Sequence, residues 1–174
     1  MSNYPWYAIV TPEDGLEQGD FVLQCPILEP VQDFQEKSTK TKYTEYDVVI
    51  MSQSCDLQQE KLSLVLVCPF WSMKAIEENN PWLKPRKAKE RLRMGQQPNY
   101  HLLNKPGVSD MPLDDDFLVV DFRSVFSVPF PFLIECIAST PRRLRLLSPY
   151  KEHLSQSFAR FFMRVGLPID IEPF

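Results

Sequence analysis

The segment Ser52-Gln53-Ser54-Cys55-Asp56-Leu57 sets a thiol, a carboxylate, two hydroxyls and an amide directly after an apolar run, where a rigid strand can present them to a substrate. A cysteine nucleophile needs a base to take its proton, and the sequence offers two imidazoles, His101 and His153. With one of them the segment reads as a thiol-dependent site centred on Cys55, with Asp56 beside it. The competing reading is structural. Asp56 and Ser54 cap a tight turn through side-chain to backbone hydrogen bonds, and Cys55 fills a small apolar gap. His101 lies within an apolar run and His153 near a helix start, so neither is placed as an obvious general base, and the structural reading is preferred.

Other site chemistries are largely excluded. The five glycines are scattered, so no glycine-rich loop can bring a run of backbone N–H groups onto a phosphate. Cys25, Cys55, Cys68 and Cys136 are 30, 13 and 68 positions apart, without the paired spacing of a zinc site. Asp110, Asp114, Asp115 and Asp116 offer carboxylates to a divalent cation but lack the EF-hand pattern and its glycine, so they read as a soluble turn. No metal and no cofactor is expected.

The most pronounced charge feature is Lys84-Pro85-Arg86-Lys87-Ala88-Lys89-Glu90-Arg91-Leu92-Arg93, with six bases and one acid in ten residues. Wound into a helix, it leaves Ala88 and Leu92 as a narrow docking seam and surrounds them with cations. Three uses stay open: a solvated or internally paired helix, an interface for an acidic protein partner, and a phosphate-gripping surface with Trp71, Trp82 and Tyr100 nearby to stack on bases. The candidate binding residues are therefore Lys84, Arg86, Lys87, Lys89, Arg91, Arg93 and Trp82. Arg142, Arg143 and Arg145, with His153, Ser157, Arg160 and Arg164, suggest a second cationic surface, although arginine near a helix end also complements the dipole without further purpose.

The chain must fold to position these groups, and its composition permits that. It has 174 residues, 44% hydrophobic and 24% charged, which fits one globular domain over 1–174. Proline, at 16 residues, suits short strands that end abruptly. No apolar run is long enough to span a membrane, and the N-terminus lacks a secretory pattern, so a cytoplasmic protein is expected. The formal charge of −4 conceals a division: residues 1–36 hold seven acids and no Lys or Arg, which leaves +3 on the remainder.

Strands are predicted at 19–28, 47–52 and 62–69, the first and third each ending in Cys-Pro, with polar connections at 32–46 and 53–61. Ser72 caps a short helix through Glu78, and Pro85 to Met94 forms a second, closed by Gly95, as an inserted helical region over 72–98. Strands resume at 100–103, 117–122, around 132–138 and at 142–147. Phe126, Phe130 and Phe132, alternating with Pro129 and Pro131, read as a strand edge bent around the core. A C-terminal helix over 149–165 carries Leu154, Phe158, Phe161, Phe162 and Val165 on one face. The fold class is thus mainly β with helices, a small barrel or curved antiparallel sheet with a helical insertion and a C-terminal helix.

The strand order Gly19-Asp20-Phe21-Val22-Leu23, Val48-Val49-Ile50-Met51-Ser52 and Leu64-Val65-Leu66-Val67-Cys68-Pro69 resembles the first half of PemK/MazF-like proteins, the SH3-like barrels of ribonuclease toxins. The resemblance implies an SH3-like barrel and an arginine before the second strand. Here Tyr43-Thr44-Glu45-Tyr46-Asp47 occupies that place, while Ser72 can stand in for the hydroxyl residue after the third strand. The Ser52 to Leu57 segment also resembles a signature of small uncharacterised bacterial proteins. The reading that follows is a non-catalytic protein-interaction module of a prokaryotic regulatory, toxin–antitoxin or antiviral-defence assembly. The alternatives are a ribonuclease or nucleic-acid-binding protein using Arg86, Arg91 and Ser72, and the Cys55-dependent enzyme.

Overall fold

A computed structural model describes residues 4–29, 42–59, 61–108 and 111–163. Among the described residues, eight strands and five α-helices follow one another: β1 Tyr7–Val10, β2 Phe21–Glu29, β3 Lys42–Ile50, α1 Ser54–Gln58, β4 Leu64–Ser72, α2 Met73–Asn79, α3 Arg86–Arg93, β5 Tyr100–Leu103, β6 Leu118–Asp121, β7 Phe126–Pro129, α4 Phe130–Ala138, β8 Arg143–Leu146 and α5 Tyr150–Phe162. Every pairing is antiparallel. The main sheet runs β2-β3-β4-β6-β5, with β7 on the first half of β4, and a separate ribbon joins β1 to β8. The described strands form curved sheets and no closed barrel.

Two devices bend the main sheet. In β2 the register slips between Val22 and Cys25, where Gln24 takes a positive φ of 52° and its N–H donates to Asp47 Oδ1 at 2.9 Å. A bulge of this kind raises local twist and re-aims the rest of the strand. In β4 the neighbour changes from β7 (Val67↔Phe126) to β6 (Phe70↔Val120). Pro69 falls in that step, where a missing ladder N–H costs least. The Cys-Pro pairs predicted to end strands therefore lie inside β2 and β4. The predicted loop before Tyr46 is likewise strand from Lys42 onward, and the Ser54–Gln58 part of the predicted 53–61 turn is a helical turn.

Apolar packing follows three clusters. Phe21, Val49, Phe70, Phe122 and Leu144 pack with Leu154, Phe158 and Phe161, so α5 docks these three members of its predicted stripe on the sheet, while Phe162 is exposed. Val165 of that prediction lies outside the described residues. Val48, Ile50, Val65, Val67 and Val128 pack with Leu133 and Ile137 of α4. This corrects the strand predicted around 132–138. Pro131 suits the first turn of a helix, and Leu133 and Ile137 are four residues apart on one helical face. A short apolar run reads equally well as strand or helix, and tertiary packing decides it.

The third cluster seats the inserted helices. Met73, Ile76, Leu83 and Leu92 pack on Tyr100 and Val119. Ser72 Oγ accepts from Ala75 N at 3.2 Å as the N-cap of α2, and Gly95, at φ 67°, follows α3, as its sequence predicts. None of the described helices is long and apolar enough to cross a membrane.

Candidate functional site

In the Ser52 to Leu57 segment both hydroxyls are engaged and Leu57 is buried. Ser52 Oγ accepts from Leu66 N at 2.9 Å, and Ser54 Oγ accepts from Gln18 N at 3.1 Å. Both hydroxyls therefore tie the segment to neighbouring backbone. Cys55 does not fill an apolar gap: it is exposed on α1, and no hydrogen bond joins it to either imidazole. His101 lies instead on β5 with its ring stacked on Phe122, and His153 lies edge-on to Tyr150 on α5. Asp56 contributes its carbonyl, which accepts from Lys61 N at 3.1 Å.

Burial separates the thiols. It pushes Cys25 and Cys68 up to about 12, and the Cys136 thiol beside Cys25 is raised for the same reason. Since burial withholds the reacting thiolate of Cys25 and Cys68, iodoacetamide at neutral pH is expected to label the exposed Cys55 first and to reach Cys25 and Cys68 only on unfolding. Peptide mass mapping against time checks this. Labelling of Cys55 many-fold faster than free cysteine would show an activated thiol.

The cationic helix is exposed as its sequence suggests. Leu92 is buried and Ala88 half-buried, giving the predicted seam, while Lys84, Arg86, Lys87, Arg91 and Arg93 face solvent. Two of its six bases are paired: Lys89 Nζ meets Glu77 Oε1 at 2.5 Å, and Arg93 meets Glu90. These partners come from α2 and from α3 itself, and the acidic N-terminal third supplies none of them. Lys84, Arg86, Lys87 and Arg91 form no ion pair among the described residues, although Arg86, after Arg93, lies close enough to Glu90 to help hold its carboxyl below the usual carboxylate range. Of the three aromatic residues proposed to stack on bases, only Trp82 is open, at 44% exposure. Tyr100 is buried under the Arg123 guanidinium, 4.7 Å from its ring, and Trp71 packs in the third cluster. Ser72 spends its lone pair on the cap of α2.

The acidic loop behaves as a turn. Asp116 accepts from Lys74 N and Phe117 N, at 2.9 and 2.8 Å, and Asp110 lies outside the described residues. Among the described residues no group of three or more metal-binding side chains converges.

The largest departure from the predicted sites concerns Arg143 and Arg145, which are interior and form no cationic surface. Asp20 is fully buried, and its Oδ2 accepts from Arg143 Nε at 2.9 Å and Arg145 Nη2 at 2.8 Å. Its Oδ1 accepts from Arg145 Nε at 2.5 Å. The remaining donors reach the carbonyls of Thr11, Asp14 and Gly15, while Glu17 pairs with Arg145 at 2.9 Å. Two features foreshadow this arrangement. Arg143 and Arg145 alternate with Leu144 and Leu146 in a strand, which puts both bases on one face. An N-terminal third with seven acids and no base must take its counterions from elsewhere. Arg142 remains exposed beside the pair, and Arg164 lies outside the described residues.

Backbone geometry completes the junction. Gly19 O accepts from Leu146 N and Gly19 N donates to Ile50 O, both at 2.9 Å, so one residue links the ribbon to the main sheet. Gly19 has φ 85°, and an added Cβ would meet Leu146 Cβ at 3.1 Å, so both conformation and space favour glycine.

These features define a mainly antiparallel β protein with a buried acid–arginine junction and an exposed cationic helix. No protein-family model and no curated protein matches the chain.

Proposed function

We propose that this chain is a non-catalytic interaction module of a prokaryotic regulatory, toxin–antitoxin or defence-type assembly, which holds an acidic protein partner against α3 and Trp82. One observation carries the reading. Arg86, Lys87 and Arg91 are exposed on a helix anchored by Leu92, with Lys84 exposed just before it, and none of the four forms an ion pair among the described residues. A rigid, unpaired cationic face beside an exposed tryptophan combines long-range attraction with a large contact side chain. An SH3-like, PemK/MazF-like origin rests on the strand order β2-β3-β4 and the curl of the sheet. Its ribonuclease chemistry lacks support, because Ser72 serves as a helix cap and Glu45 stands in the region where the toxins carry arginine.

Fluorescence anisotropy with a labelled decapeptide of alternating glutamate and serine, beside a single-stranded RNA of equal length, tests the reading. Exposed charge pairs contribute about 0.2–1 kcal/mol each, so Arg86→Glu with Arg91→Glu is expected to weaken peptide binding roughly five- to tenfold. Tighter RNA binding, with a steep salt dependence and cleavage lost in Ser72→Ala, would replace this reading with the ribonuclease one.

A further inference from the structure

The outer halves of β2 and β3 form an arm in which Pro26 stands opposite Glu45 and Leu28 opposite Tyr43, so these four side chains share one face. That face walls a groove of about 720 Å³, bounded on the far side by β7 around Ser127 and by Phe132 of α4. Leu28 and Tyr43 are 71% and 61% exposed, so a contiguous apolar wall faces solvent.

The register of β7 shows what its backbone offers this groove. Phe130 N donates to Ser63 O at 3.0 Å, and the ladder continues from Leu64↔Pro129 to Val67↔Phe126. Antiparallel strands bond their neighbour at alternate residues, so Val128 bonds to β4 while the N–H and C=O of Ser127 and the C=O of Pro129 point away from it. Among the described residues β7 pairs with β4 alone, and Ser127 is exposed. Pro129, without an N–H, fits a free edge. Glu45 shares the groove and has no ion-pair partner among the described residues.

We propose that this groove takes an extended, mainly apolar segment of a partner protein, which adds to the free edge of β7 and sets a lysine or arginine against Glu45. Strand addition supplies main-chain hydrogen bonds, while Leu28, Tyr43 and Phe132 select alternate apolar side chains. Glu45 fixes the sign of the charge: an acidic segment or a nucleic-acid backbone is repelled here. The groove is lined by none of the residues of the cationic face of α3, so the two surfaces can be disabled separately.

The test titrates a blocked hexapeptide, alternating valine and threonine with one central lysine, into the full chain and follows backbone amides by NMR. Saturable binding is expected, with the largest shifts along Val125–Val128 and slowed exchange at the Ser127 amide. Ser127→Pro deletes the outward donor and leaves the bonds to β4, so it weakens binding at least tenfold, as does N-methylation of alternate peptide amides. Glu45→Lys, on an exposed side chain that does not control folding, is expected to reverse the preference from the lysine peptide to its glutamate counterpart. No saturation up to millimolar peptide, or affinity indifferent to both N-methylation and Glu45→Lys, overturns the proposal. Dimerisation of the free chain that is lost in Ser127→Pro also overturns it, because the occupant is then a second copy.

Discussion

Replacing Asp20 with alanine is expected to lower the unfolding free energy by about 3–5 kcal/mol, because it leaves buried guanidinium groups without their countercharge. Asp20 has no exposed surface, and Arg143 and Arg145 are 2% and 9% exposed. Arg145 keeps Glu17 after the change, but Arg143, with the exposed Asp14 a weak and more distant countercharge, keeps as hydrogen-bond acceptors only the carbonyls of Thr11 and Gly15. Those dipoles solvate a charge and do not neutralise it. The Glu17 N–H also loses its acceptor, Asp20 Oδ2 at 3.0 Å, and the loop before β2 loosens from β8. Domains of this size are stable by roughly 5–15 kcal/mol, so the variant should melt far earlier or fail to accumulate. Urea unfolding measures the loss directly.

A matched control separates charge from packing. Asp20→Leu with Arg143→Met and Arg145→Met removes every charge of the pair and keeps apolar volume, and it should cost much less than Asp20→Ala alone. If Asp20→Ala costs less than about 1 kcal/mol, or if the triple variant is the worse of the two, the junction is not held by this ion pair.

Local signals were readable where they were self-contained. Ser72, Pro85 and Gly95 mark helix ends by their own chemistry, and the spacing of Leu154, Phe158 and Phe161 announces α5 without reference to the rest of the chain. The segment 130–138 was not readable in this way, since a mostly apolar run with one proline, Pro131, satisfies strand and helix alike. Only its packing on Val48, Val65 and Val128 makes it helical. β1 was missed for a related reason: Tyr7–Val10 is four residues long, and only its pairing with Arg143–Leu146 identifies it.

The sites divide along the same line. The exposure of Arg86 and Arg91 follows from one helix and one seam, so the cationic face was legible. Asp20 meets Arg143 across more than a hundred residues, and nothing local distinguishes it from an ordinary Gly-Asp turn. The groove beside Ser127 required both the arm of β2 and β3 and the register of β7 before its free edge became visible. Cys55 shows the reverse case, a suggestive local cluster that the fold disperses, with its hydroxyls on backbone amides and both imidazoles on other elements.

His101 should make the protein sensitive to mild acid. Its ring lies half-buried on β5 against Phe122, beside a hollow of about 200 Å³ that Arg93, Ser157 and Arg160 also line. Burial, and secondarily the charge of His153, hold its imidazole down to about 4, against 6.5 for an unperturbed histidine. Above pH 6.5 the folded and unfolded chains both carry it neutral, and it contributes no pH dependence. Between 6.5 and 4 the unfolded chain takes a proton that the native chain refuses, so stability falls by about 1.4 kcal/mol per pH unit. Below pH 4 both forms are protonated and the loss levels off at about 3 kcal/mol. Carboxylates titrate over the lower part of this window, so the measured quantity is a difference. Urea unfolding at pH 7.5, 6.0, 5.0 and 4.5 is compared between the parent chain and His101→Gln, which keeps a polar side chain and cannot charge. The parent should lose stability more steeply through pH 6 to 4.5, and the two curves should run parallel above pH 7. His153→Gln, which removes only the smaller charge contribution, should leave most of the slope in place. Parallel curves throughout would mean that His101 is as easily protonated in the folded chain as in the unfolded one, and that its setting against Phe122 does not exclude charge.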